Sequence, residues 1–129
     1  MRKYTLIGIF GVGGALCRYG TGILFHTDFP WGTLIVNLAG CFLLPIIFIL
    51  LQELDVFSKD IIAAMGTGFI GAFTTFSTFT TDFIKLISDG NMVKGSIYLF
   101  TSLAGGLIVT AISVKISNFT LDKIRKKEE

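Results

Sequence analysis

Four long apolar runs, separated by short polar stretches, organise the chain. The first covers residues 4–25 and stops at the turn-forming His26-Thr27-Asp28-Phe29-Pro30. The second covers 32–51, with Trp31 just before it at a position suited to the membrane–water interface. The third covers 61–87 and the fourth 94–117, followed by a basic tail over 118–129. A helix needs about 20 mostly apolar residues to cross a bilayer core, and every run is long enough. The pattern therefore predicts an all-α membrane protein with four transmembrane helices. Short connections make neighbouring helices antiparallel. Four spans nearly use up 129 residues, so residues 1–129 read as one transmembrane domain, without repeats or low-complexity segments.

Composition agrees with that pattern. The chain is 52% hydrophobic and 16% charged, against roughly 25% charged in soluble domains. The charges cluster at Arg2–Lys3, Glu53–Asp60, Asp82–Lys94 and Lys115–Glu129. Met1-Arg2-Lys3 before an apolar run resembles a signal peptide, but no small-x-small cleavage site closes the run, so the first helix is expected to be retained. With four spans both termini share one side. That side carries Arg2, Lys3, Lys59, Lys123, Arg125, Lys126 and Lys127, whereas the other carries Lys85 and Lys94. The excess of positive charge puts the termini in the cytoplasm. The basic tail suits anionic lipid headgroups. The chain has no basic, aromatic-bearing soluble surface of the kind that binds nucleic acid. Cys17 and Cys41 lie within apolar runs and read as small buried hydrophobes. Most of the 15 glycines also fall within the spans, where small residues let helix backbones approach closely.

The polar residues inside the spans carry the chemistry. Six hydroxyls crowd the third run, at Thr74, Thr75, Ser77, Thr78, Thr80 and Thr81. One or two would be explained by bonding back to the carbonyl four residues earlier. Six, after Gly66, Gly68 and Gly71, predict a helix broken near its middle. Irregular backbone at membrane depth must be buried in protein or solvated by a cavity. Phe76 and Phe79 share a helix face within this hydroxyl cluster, and ring edges are electropositive enough to contact a small anion. Asn37 lies mid-span in the second run, with Thr33 one turn earlier. Its amide fits an interhelical hydrogen bond and a pore-lining donor equally. Arg18, a charge inside the first run, fits a functional role or pairing with carbonyls at a helix end. Tyr98, Ser102 and Thr110 place hydroxyls on one broad side of the fourth helix.

Several enzyme-like signals fail. Gly66-Thr67-Gly68-Phe69-Ile70-Gly71 spells a dinucleotide fingerprint but lacks the strand and the βαβ unit that give it meaning. His26 is the lone histidine, and no Ser–His–acid or Cys–His grouping is present. Asn118-Phe119-Thr120 spells a glycosylation acceptor on the side predicted cytoplasmic.

Three motifs together resemble a known family. They are Gly11-x-Gly13-Gly14-x-x-x-Arg18-Tyr19, Gly32-Thr33-Leu34-x-x-Asn37-x-x-Gly40, and Gly68-Phe69-x-Gly71-x-x-Thr74-Thr75-Phe76-Ser77-Thr78-Phe79. They are similar to those of the small microbial fluoride channels, the CrcB or Fluc family. The resemblance covers nearly the whole chain, and the Thr-Thr-Phe-Ser-Thr-Phe run is its most specific part.

The resemblance implies an antiparallel, dual-topology dimer with two fluoride pathways in the bacterial plasma membrane. It implies passive export of cytoplasmic fluoride that entered as neutral HF, and hence fluoride resistance. The pathway residues it implies are Asn37, Phe76, Phe79, Ser77 and Thr78, with Thr33, Tyr98, Ser102 and Thr110 extending the track. It also implies a structural sodium ion at the dimer centre, held by the backbone carbonyls of Gly71 and Thr74, and a vestibule or structural place for Arg18. Pro45 departs from the family's frequent glycine and is expected to kink the second helix away from the pathway. The charge bias also departs from what a chain inserting both ways needs. The expected assembly is therefore a homodimer or a pair with an oppositely oriented homologous subunit. A small proton-coupled drug or metabolite antiporter is the alternative. It would need a carboxylate within a span, and Asp82 lies late in the third run. A non-transporting, holin-like assembly would not need the Thr-Thr-Phe-Ser-Thr-Phe run.

Overall fold

A computed structural model describes residues 2–25 and 27–128, leaving His26 outside the described residues. Helix α1 spans Arg2–Leu24. Helix α2 spans Trp31–Pro45 and continues through Ile46–Leu51 in wide turns of π geometry. The third span is composite: α3 (Lys59–Ala63), a second wide-turn segment (Ala64–Ile70), the single turn α4 (Gly71–Phe73), two extended residues and α5 (Phe76–Ser88). Helix α6 spans Met92–Glu128. No strand occurs among the described residues. Four stretches, Arg2–Leu24, Trp31–Leu51, Lys59–Ser88 and Met92–Lys127, are long and apolar enough to cross a membrane. The chain is therefore a multi-pass membrane protein.

Local chemistry sets the boundaries. The Ser58 hydroxyl caps α3 by accepting the Ile61 N–H, and Asp60 in the first turn complements the helix dipole. Helix α5 ends at Gly90, whose φ of +77° only glycine adopts cheaply. There the Gly90 N–H donates to the Ile87 carbonyl and the Asn91 N–H to the Leu86 carbonyl, which closes the helix in a Schellman motif. Helix α6 passes the expected end near Ser117 and carries the basic tail with it. Neither Gly nor Pro interrupts it after Gly106, and Arg125, Lys126 and Lys127 in its last turn suit the negative end of the dipole. Arg125 also reaches Glu53, in the last helical turn of the second span, at 3.1 Å, tying the tail to that end of the bundle.

Packing is closest between α1 and the Ala64–Ile70 segment. A Cβ on Gly14 would lie 2.2 Å from the Phe69 carbonyl oxygen, and one on Gly68 would lie 2.5 Å from that of Ile7. The glycine surface expected in helix one thus meets a neighbour, backbone against backbone. Cys17, expected to be buried, is instead exposed on α1, and Cys41 is half-buried on α2. Two apolar clusters hold the rest. Leu34, Leu86 and Tyr98 gather Phe29, Leu38, Phe79 and Phe83. Ile47, Ile62 and Ile70 gather Leu51, Met65 and Phe69 around the two wide-turn segments. Phe48 presses its ring on Gly66, where a Cβ would stand 2.3 Å away.

Candidate functional site

The third span changes conformation at Thr74 and Thr75. Thr74 has ψ 159° and Thr75 has φ −153° and ψ 124°, both extended, between helical Phe73 and helical Phe76. Two side chains compensate. The Asn37 amide lies against Thr75, accepting its N–H at 2.8 Å and donating to its carbonyl at 2.9 Å. The Thr75 hydroxyl then caps α5, accepting the Thr78 N–H at 3.1 Å, and donates to the Thr78 hydroxyl at 3.0 Å. Ser77 Oγ lies 3.3 Å from the same Thr75 oxygen.

Of the two roles open to Asn37, the structure displays the interhelical bond. An amide carries two N–H donors, so one N–H remains beyond that bond. The six hydroxyls of this run divide evenly. Thr74, Thr80 and Thr81 bond back to carbonyls four residues earlier, whereas Thr75, Ser77 and Thr78 form a cluster at the head of α5. The backbone at Gly71 and Thr74 follows from the same bonds. In a continuous helix the N–H groups of Thr75 and Thr78 would meet the Gly71 and Thr74 carbonyls. Here those N–H groups go to Asn37 and to the Thr75 hydroxyl instead. Two carbonyls are thereby deprived of their helical donors, and carbonyl oxygen is the ligand chemistry of a hard cation.

Aromatic rings run from this point to the far end of the bundle. Phe76 and Phe79 have centroids 5.9 Å apart, and Phe79 and Tyr98 5.2 Å. Phe29 meets Tyr98 edge-on at 5.7 Å. Tyr98 is fully buried, whereas Phe76 is 80% exposed and projects from the chain's own packing. Tyr98 and Ser102 each hold a buried hydroxyl oxygen with no hydrogen-bond partner among the described residues. One turn above Asn37, the Thr33 hydroxyl donates to Asp82 at 2.7 Å.

Two cavities adjoin the extended residues, and a third lies toward the loops. A polar one of about 310 Å³ lies beside the loops, lined by Asp28, Thr33, Asp82, Lys85 and Asp89. Another, of about 670 Å³, shares Thr33 and Thr78 with it and adds Arg18, Tyr19 and Thr75. The last, of about 360 Å³, is lined by Asn37, Cys41, Pro45, Thr74, Phe76 and Thr110, as well as by Thr75. Thr75 alone lines both of the latter two, so its side chain and the Asn37 bond form the wall between them. Arg18 has no hydrogen-bond or ion-pair partner among the described residues, so its charge is available to the 670 Å³ cavity.

The structure thus brings Asn37, Ser77 and Thr78 onto Thr75, with Phe76 beside it and Phe79 and Tyr98 following in the row of rings. Thr33 sits at one mouth and Arg18 in the adjoining cavity. Ser102 lies one turn beyond Tyr98 on α6. Thr110 lines the Asn37 cavity, but its hydroxyl points at the Cys41 carbonyl, 3.4 Å away. Pro45, expected to stay clear of the pathway residues, lines that same cavity. Sequence reasoning counted Thr75 with Ser77 and Thr78 in a hydroxyl track but gave it no part in breaking or capping the helix. Its signal was a hydroxyl three residues before Thr78 at a helix start, the spacing of an N-cap. Asp82 was read only as a carboxylate late in the span, and nothing in the sequence pairs it with Thr33.

Known proteins are similar to this chain over most of its length. Residues 5–114 match the family described as CrcB-like protein, Camphor Resistance (CrcB). A "Fluoride-specific ion channel FluC 1" of Bacillus cereus is 42% identical over 129 residues, covering 95% of this chain and 94% of that protein. The "Fluoride-specific ion channel FluC 2" of Listeria innocua serovar 6a is 45% identical over 116 residues, covering 89% and 90%. The "Fluoride-specific ion channel FluC 2" of Listeria monocytogenes serotype 4b is 42% identical over 121 residues, covering 93% and 94%. With a match that runs through three apolar stretches and into the fourth, and relatives at this identity over nearly their whole length, the chain belongs to the CrcB family.

Proposed function

We propose that this protein is a fluoride-selective anion channel of the bacterial plasma membrane, exporting cytoplasmic fluoride passively and so conferring fluoride resistance. The observation that carries the reading is the Thr75 junction. An Asn37 amide, a hydroxyl cluster and the Phe76–Phe79 pair meet there, in a chain about 40% identical to proteins named fluoride-specific ion channels. Fluoride is small and strongly hydrated, so a selective pore must replace its water with hydrogen-bond donors. The remaining Asn37 N–H, the hydroxyls of Ser77, Thr78 and Tyr98, and the ring edges of Phe76 and Phe79 are donors of that kind. Thr33, Ser102 and Thr110 extend the track. Arg18 supplies positive potential in the adjoining cavity, where an anion would wait before passage.

In this proposal the working unit is a dimer of oppositely oriented subunits, either two copies of this chain or this chain with a homologous partner. The exposure of Phe76 supports the reading, since a pathway residue outside the chain's own packing needs a second surface to enclose it. The carbonyls of Gly71 and Thr74, deprived of their helical donors, suit a sodium ion between subunits. Such an ion would supply fixed positive charge and hold the two third spans together. We read the extended Thr74–Thr75 pair as the functional break in that span.

The test is anion efflux from liposomes containing the purified protein. Fast fluoride efflux with very little chloride efflux is expected, with loss of flux in Phe76→Ile and Phe79→Ile. Equal chloride flux, or flux that appears only with an imposed proton gradient, would remove the channel reading and restore the antiporter.

A further inference from the structure

Pro45 sits two turns below Asn37 and removes a backbone donor from α2. The carbonyl that loses its partner is that of Cys41, four residues earlier. The disturbance extends one residue further. The Ile46 N–H, which would ordinarily serve Phe42, donates to Leu43 instead. Two consecutive carbonyls in the middle of a membrane span are thus left without their helical donors, in a solvent that cannot replace them.

Helix α6 supplies replacements from its side chains. The Ser113 hydroxyl donates to the Phe42 carbonyl at 2.5 Å, and the Thr110 hydroxyl to the Cys41 carbonyl at 3.4 Å. They stand three residues apart on one face of α6, matching the two successive carbonyls opposite. Ser113 is completely buried, so no lipid or water competes for its proton. Below the clamp α2 runs on in wide turns, the Gln52 N–H reaching back five residues to Ile47. Those turns place Phe48 on Gly66, in the wide-turn segment that leads to Thr74. Above the clamp, Pro45 and Thr110 are themselves walls of the cavity holding Asn37 and Phe76.

We propose that Ser113 and Thr110 are positioning residues, whose hydroxyls stand in for the two donors lost at the Pro45 kink and so fix the wall of the Asn37–Phe76 cavity. This reassigns Thr110 from contact with a transported ion to the backbone of α2, and gives Ser113 a task. The inference rests on the channel reading for its transport consequence, but the clamp itself does not depend on which ion moves.

The test is a double-mutant cycle between Pro45→Ala and Ser113→Ala on the full-length protein, read by thermal melting in detergent and by fluoride efflux from liposomes. In the Pro45 background, Ser113→Ala leaves a buried carbonyl without its donor, and flux is expected to fall about tenfold with a lowered Tm. In the Pro45→Ala background the residue 45 N–H returns to Cys41 and a regular helix returns the Ile46 N–H to Phe42, so the same change is expected to alter flux and Tm far less. Thr110→Val is the second arm if Ser113→Ala does not fold. It should reduce flux, and Thr110→Ser, which keeps the hydroxyl, should restore it. Coupling in both melting and flux supports the proposal. Coupling in melting with unchanged flux overturns the positioning role. Equal effects of Ser113→Ala in both backgrounds overturn the clamp altogether. A wild-type protein that melts with this coupling yet passes no fluoride refutes the channel reading, and the positioning role with it, while leaving the clamp in place.

Discussion

Replacing Asn37 by Leu removes both hydrogen bonds to Thr75 while keeping roughly the side chain's volume. Thr75 is only 8% exposed, so its N–H and carbonyl lose their partners in an environment nearly free of water. Each stranded buried group costs about 1–3 kcal/mol, and the two together about 2–6 kcal/mol if nothing else changes. The backbone has a way to recover part of this. The Thr75 N–H is the one that would serve the Gly71 carbonyl in a continuous helix. Swinging Thr74 and Thr75 back to helical angles would regain about 1 kcal/mol per bond formed. The expected result is therefore a split: a Tm loss smaller than two stranded groups would give, and a flux loss of at least about tenfold, the equivalent of about 1.4 kcal/mol. Thermal melting of the detergent-purified protein and fluoride efflux from liposomes measure the two sides. Asn37→Asp refines the comparison, since an ionised carboxylate can accept the Thr75 N–H but cannot donate to its carbonyl, whereas the protonated acid can do both, so a pH series separates the two bonds. An Asn37→Leu protein that melts and conducts like the wild type would refute the claim that this amide holds the junction open.

Other substitutions probe the supports around that junction. Gly68→Ala drives a methyl to 2.5 Å from the Ile7 carbonyl oxygen, and the protein is expected to lose folded yield on size-exclusion chromatography, because backbone cannot step aside. Gly40→Ala collides with the Thr74 Cγ2 methyl at 2.1 Å, so Thr74→Ser, which removes that methyl, should recover most of the lost Tm in the double mutant. Glu53→Gln breaks the Arg125 ion pair, but both side chains are more than half exposed, so Tm is expected to move by less than the equivalent of about 1 kcal/mol.

The four spans were legible because lipid imposes length and composition on anything that crosses it. The hydroxyl-rich stretch was legible for a related reason: Thr74 through Thr81 is poor material for a lipid-facing helix. Which hydroxyl did what could not be read along the chain. Thr80 and Thr81 bond back to their own helix while Thr78 does not, and that follows from Thr75 turning extended to meet Asn37, 38 residues away. Pro45 announced a kink, but the partners of the freed carbonyls lie 69 and 71 residues downstream, on a helix whose Ser113 looks ordinary in sequence. The end of α6 was misplaced because charge was taken to end a helix, whereas charge ends only the part of it that lies in lipid.

The contact between α1 and the Ala64–Ile70 segment bears on motion. Most helix interfaces contain some give, because side chains can change rotamer and let one helix slide a fraction of a turn past another. Where Gly14 faces the Phe69 carbonyl and Gly68 faces that of Ile7, there is no rotamer to change. Sliding would bring peptide groups into collision within an ångström. The soft coordinates of the bundle must therefore lie elsewhere, in rings such as Phe76 and in hydroxyl rotations at Ser77 and Thr78. Those are movements of picoseconds to nanoseconds rather than milliseconds. A conduit framed this way has no slow mechanical gate along that seam.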